Sequence, residues 1–151
     1  MTLTTILILA GIGVLLSILA GVANSIMDTL NFKYTESKFS KIPETSKWYW
    51  WLNTPGVTWR NKYKNRDPEQ GPAFIGSTTI FVWVTDAWHF CQMVMLSSFQ
   101  MMIALSITTL YNVVFPVPMW EFILMILAFF GIFKFAFSGT FEAFWSTIWK
   151  K

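Results

Sequence analysis

The sequence predicts an all-α membrane protein: three transmembrane helices, an aromatic and basic cytoplasmic loop, and a C-terminal interfacial helix. Three observations lead there. Of 151 residues, 54% are hydrophobic and 13% charged, where a soluble domain carries about a quarter charged. The apolar residues gather into long runs. Thirteen of the nineteen charged residues fall between Asp28 and Glu69. The balance excludes a disordered chain, and the single Cys91 excludes an internal disulfide scaffold. The length suits a single membrane domain over 1–151.

The first span is expected at about 3–23. Met1 to Met27 hold no charge, and about 20 apolar residues suffice to cross the hydrocarbon core. No Lys or Arg precedes the run, so the basic start of a secretory signal is missing. The segment reads as a retained anchor, although Gly21-Val22-Ala23 faintly mimics a cleavage site. One side carries Gly13, Ser17 and Gly21, a small-residue spacing that lets another helix pack closely. Ala128 and Gly131 could serve likewise on the third span.

The cytoplasmic loop is expected over 24–75, with helix one running on to about Phe39. From Lys41 to Ala73, Pro43, Pro55, Gly56, Pro68, Gly71 and Pro72 argue against helix. Trp48, Trp50, Trp51 and Trp59 are expected to anchor the loop at headgroup level, as are Trp145 and Trp149 in the tail. Arg60, Lys62, Lys64 and Arg66 alternate with uncharged residues, which predicts an extended segment showing positive charge on one side. Such a segment suits anionic phospholipid or a partner. The bland reading is that these bases only set topology. Nucleic acid is not the expected partner, since the net charge is only +3 and no binding fold is visible. Residues 71–78 have P-loop spacing with Ser in place of the essential Lys, so no nucleotide is expected. Ser77 or Thr78 would instead cap the next helix.

Residues 76–111 hold no Pro and no internal Gly. As one helix they would extend about 54 Å, so the span is placed at 90–111, with 77–89 at or inside the inner interface. The rival placement centres Asp86, where charge is costly. On a helical wheel Thr78, Thr85, Asp86, His89, Gln92 and Gln100 share a face about 120° wide. Asp86 and His89 are i, i+3 neighbours that can bond. This polar stripe offers a proton or small-solute path, because imidazole changes charge near neutral pH. The plainer reading is a hydrogen-bonded clamp between helices. A metal site is not expected with one His and with Cys91 on the opposite face, and no cofactor is expected.

Pro116 and Pro118 end this helix, and Pro118 suits the start of the third span at 119–138. Glu121 and Lys134 lie toward its ends, Lys134 reaching the interface by snorkelling. Over 139–151, Phe141, Phe144, Trp145, Ile148 and Trp149 recur at helical spacing opposite polar residues, which predicts the interfacial helix. The alternative is a simple continuation of span three. Eight basic residues in the loop and two at the C-terminus place both in the cytoplasm, with the N-terminus outside.

The string Trp59-Arg-Asn-Lys-Tyr-Lys64, Gly71-Pro72, Gly76-Ser-Thr-Thr79, Thr85-Asp86-x-Trp88-His89 resembles that of a group of small uncharacterised bacterial membrane proteins. The resemblance spans about residues 59–89. It implies an inner-face cap joining the basic arm to Asp86 and His89, and it implies no activity. The expected role is a non-enzymatic structural or interaction component of a bacterial inner-membrane complex or homo-oligomer. The alternatives are a small channel or holin-like pore, and a membrane enzyme or accessory subunit using Asp86 and His89 as an acid–base pair.

Overall fold

The computed structural model describes the backbone of residues 3–148, and side chains over 4–132 together with Lys134 and Phe135. It is mostly helical, with no strand among the described residues. The elements are α1 (Leu3–Phe32), α2 (Lys47–Trp51), α3 (Pro55–Thr58), α4 (Ala87–Val114) and α5 (Met119–Ile148). Short 3-10 turns fill much of the remainder. Two helices, α1 and α4, are long and apolar enough to cross a membrane. A third span is not shown: among the described residues the remaining apolar helical stretch is Met119–Ile132, within α5.

The chain forms two compact units, one of residues up to Ile18 with those from Ser97 onward, the other Leu19–Leu96. In the second unit, α1 buries Ala20, Ala23, Met27 and Leu30, which lie at helical spacing on one face. Ala23 and Met27 cluster with Cys91, and Trp88, Phe90, Val94 and Met95 pack around them. Cys91 is a small buried apolar residue here. Helix α1 ends at Phe32, short of the expected Phe39, and 3-10 turns follow at Tyr34–Glu36 and Lys38–Lys41. Ser37 sits between these turns, accepting from Phe39 N–H. Burial, and next the neighbouring Tyr49, push the Tyr34 phenol above its ordinary pKa.

In the first unit, α4 buries Gln100, Ala104, Thr108 and Asn112 along one face. Ser17 donates to the Gly13 carbonyl at 3.0 Å and reaches Met102 Sδ at 3.2 Å. Lys134 Nζ donates to Ser97 Oγ at 2.9 Å. A half-buried amine is thereby satisfied by the hydroxyl within reach. A Cβ built on Gly13, Gly21 or Gly131 meets nothing within 4 Å, while Ser17, on the same face as Gly13, reaches Met102 of α4.

Two further expectations are corrected. Residues 76–86 are not α-helix, holding only a 3-10 turn at Val82–Val84, and α4 starts at Ala87. Gly76 has φ +81°, a left-handed conformation that glycine adopts without steric cost. The β-branched residues that follow also disfavour helix. At the other end, α5 continues through Gly139 to Ile148 as one helix, so no separate element begins at 139. One internal glycine costs a helix only about 1 kcal/mol. Residues 149–151 of the expected interfacial helix lie outside the described residues.

Gly76→Ala is expected to destabilise the detergent-solubilised protein by about 1–2 kcal/mol from left-handed strain alone. The clash adds to this, because the new Cβ would meet Phe81 at 2.8 Å and Ile80 at 3.1 Å. Gly13→Ala and Gly21→Ala should leave the monomer's melting unchanged or slightly raised. Thermal unfolding followed by circular dichroism checks all three.

Candidate functional site

The chemistry of the second unit gathers where the loop meets the first turn of α4. Asp86 is 1% exposed. Its Oδ1 accepts from the His89 backbone N–H at 2.9 Å, and its Oδ2 lies 2.7 Å from His89 Nδ1. The first contact is an N-cap, satisfying an amide that the helix leaves without a partner. The expected cap at Ser77 or Thr78 is thereby corrected. The buried Ser77 hydroxyl instead donates to the Lys62 carbonyl at 2.7 Å. Thr85 donates to the Val82 carbonyl at 2.7 Å, with Asp86 Oδ2 3.2 Å away.

The second contact orients the imidazole. With Nδ1–H directed to the carboxylate, Nε2 of a neutral ring keeps its lone pair. The His89 side chain is 24% exposed, and Trp88 packs edge-on against it at 5.1 Å between centroids. The pair can hold a proton at a fixed nitrogen. Its acid is spent on capping and on orienting the ring.

The predicted stripe is therefore only partly assembled. Thr78 and Thr85 precede the helix and share no helical face with the others. Asp86 is its cap, and His89 and Gln92 lie in its first turns. Gln100 belongs to the other unit, buried with Oε1 lacking a partner among the described residues. Thr108 Oγ1 is likewise buried without one.

The basic segment is not extended. Trp59–Lys62 and Lys64–Arg66 form 3-10 turns, closed by Tyr63 N–H to Arg60 O at 2.9 Å and Arg66 N–H to Tyr63 O at 3.0 Å. The four bases therefore do not line one side. Arg66 stacks on Trp50, its guanidinium carbon 3.5 Å from the ring centroid. Arg60 lies over Trp59 at 5.4 Å, and Lys62 over Tyr63 at 5.5 Å. Lys64 is exposed. The loop is also less irregular than its prolines suggest. Ser46 caps α2 and Pro55 begins α3.

Of the expected anchors, Trp48 and Trp59 are exposed, while Trp50 and Trp51 are half-buried. Trp51 packs on Phe90 of α4 at 5.8 Å, and Trp83 lies 6.3 Å from the same ring. Trp51 thus supports the helix end. The Trp145 and Trp149 side chains lie outside those described.

Asn61 is the residue that sequence reasoning passed over. Its amide donates to the Trp50 carbonyl and, at 3.1 Å, to the Thr85 carbonyl. One side chain thereby ties the end of α2 to the residue before the Asp86 cap. Only its place inside the basic string marked it. Compared with protein-family models, curated proteins and solved structures, the chain shows no match.

Asp86→Asn should keep the cap and lose the charge, while Asp86→Ala loses both. The alanine variant is expected to cost about 1–2 kcal/mol through the cap alone, more than either Asp86→Asn or His89→Gln. Asn61→Ala leaves two carbonyls without their donor and should cost about 1–3 kcal/mol per group it leaves buried. Denaturant titration in detergent ranks all four, and near-ultraviolet circular dichroism should report loosened tryptophans in Asn61→Ala.

Proposed function

We propose that the chain is an integral protein of a bacterial inner membrane, acting without catalysis as a structural or interaction component of a membrane complex. The outer surface of α1 carries this reading. Leu7, Val14, Leu15 and Ile18 are each more than half exposed. Apolar area kept in water costs about 25 cal/mol per Å², and a continuous patch of it marks contact with lipid or protein. Helix α4 is the second span, and α5, continuous from Met119 to Ile148, is the third. The charge distribution puts the N-terminus outside and the loop and C-terminus in the cytoplasm.

Open space at Gly13 and Gly21 supports a partner helix from another chain, a second copy or a different protein. The bases of the loop support contact with anionic phospholipid. The reading of residues 59–89 as one inner-face cap gains support from Asn61, whose amide bonds the Thr85 carbonyl next to Asp86. A second reading, an accessory subunit of a membrane enzyme, rests on the Asp86–His89 pair with Nε2 left for proton exchange.

Alkaline carbonate should leave the protein in the membrane pellet; extraction into the supernatant would remove the reading. Crosslinking in native membrane should trap a dimer or a partner, and Gly13→Leu with Gly21→Leu should reduce that product without unfolding the chain. A strictly monomeric, partnerless protein contradicts it. Reporter fusions at Asn112 and at the C-terminus should fall on opposite sides.

A further inference from the structure

A cleft of about 480 Å³ opens in the loop, lined by Trp50, Gly56, Val57, Arg60, Asn65 and Arg66. That size is in the range of small-ligand sites, about 300–1,000 Å³. Two of its six lining residues are arginines and none is acidic. Lys62 and Lys64 of the same basic string do not line it.

Both guanidiniums are unspent. The ion pair found among the described residues is Asp86–His89, and no described hydrogen bond engages the Arg60 or Arg66 side chain. Asp67, the acid next to Arg66 in sequence, is committed elsewhere. Asp67 accepts from Glu69 N–H at 3.0 Å and from Gln70 Nε2 at 3.0 Å. Asn65 donates to Gln70 Oε1 at 2.9 Å. These bonds brace the turn that presents Arg66. They also hold Asn65 at φ +51° and Arg66 at φ +62°, a conformation that non-glycine residues take at some steric cost. Across the turn, Lys64 N–H donates to Gly71 O and Ala73 N–H to Lys62 O.

Stacking on Trp50 occupies the flat face of the Arg66 guanidinium and leaves its edge N–H donors available. That planar fork matches two oxygens of a phosphate. Arg60 is exposed on the same cleft, so a second donor group can reach the same anion. We infer that the cleft between Arg60 and Arg66, floored by Trp50, binds the phosphate of a phosphate ester, an anionic phospholipid headgroup or a soluble ester. This rests on the reading of the loop as a contact for anionic phospholipid and narrows it from four bases to two.

The test uses the full chain purified in a maltoside detergent, with binding followed by isothermal titration calorimetry. One arm titrates short-chain phosphatidylglycerol, with short-chain phosphatidylcholine as control; the other titrates glycerol 3-phosphate. Wild type should bind phosphatidylglycerol saturably, one per chain, and phosphatidylcholine much more weakly. Arg60→Gln and Arg66→Gln should each weaken binding about tenfold or more, as loss of a charge-assisted bond predicts. Lys62→Gln and Lys64→Gln remove the same charge and should change affinity only slightly. Arg66→Lys keeps charge without the fork and should resemble Arg66→Gln.

Equal affinity for glycerol 3-phosphate supports the site and assigns it to a soluble ester. Preference for the lipid supports the site and assigns it to the headgroup. Equal losses from all four glutamine variants overturn the cleft and leave a diffuse anionic-lipid contact standing. No saturable binding of either anion by wild type overturns both. Should Arg66→Gln fail to fold by circular dichroism, Arg60→Gln decides, since Arg60 does not stack on Trp50. Unchanged affinity in a folded Arg60→Gln overturns the proposal.

Discussion

The double donation from Asn61 is the interaction on which the rest of the loop unit depends. A loop with four prolines between Lys41 and Ala73 cannot satisfy its backbone through long helices or a sheet. Its polar groups still need partners wherever they leave water. One amide serves the Trp50 and Thr85 carbonyls together. The first bond fixes the residue whose ring lies beneath Arg66. The second fixes the residue just before Asp86, where α4 begins. Around it, Ser77 bonds Lys62 and an isolated bridge joins Tyr63 to Pro72. Within the loop, local side-chain bonds thus supplement the small apolar cluster around Cys91.

The charged groups are treated in contrasting ways. Asp86 is fully withdrawn from water but satisfied on both oxygens by one residue, His89. A buried carboxylate is tolerable on those terms, and its work is to start a helix and hold a ring. Lys134 meets a serine hydroxyl. Arg60 and Arg66 stay on the surface, steadied by aromatic faces and unmatched by any described acid. Cation–π stacking contributes about 0.5–1 kcal/mol at exposed sites while leaving the hydrogen-bonding edges open. The residues that look most catalytic in the sequence are structurally occupied, and two that look like ordinary surface charges are open for binding.

Much of the helical scaffold was legible. The uncharged N-terminal run became α1, the apolar residues around Leu96 became the body of α4, and Pro118 marked the start of α5. Absence of Pro and internal Gly over 76–111 does not oblige continuous helix, and α4 starts only at Ala87. Two counter-signals were present. Thr78, Thr79, Ile80, Val82, Val84 and Thr85 are β-branched, and Asp86 directly before an apolar run is a helix-start signature. With the helix starting at Ala87, the polar stripe loses Thr78 and Thr85, and the remainder divides between two units. The period-two reading of Arg60 to Arg66 failed because alternation of charge does not oblige a strand. The segment instead makes 3-10 turns on either side of Tyr63, which alone is extended and bridges Pro72.

Composition and charge order by themselves pointed to a helical chain with long apolar runs, two of which are helices able to cross a membrane, and a polar loop between those two. Those properties follow from sums over many residues, since hydropathy and helical reach accumulate along a run. The tertiary structure alone decided which polar side chains meet. Whether Asp86 capped a helix or lined a path, and which bases shared a cleft, turned on single hydrogen bonds and ring contacts between residues up to 24 positions apart. Such pairings depend on where the backbone turns, and a turn set by one glycine at positive φ or one asparagine amide leaves little trace in a sequence average.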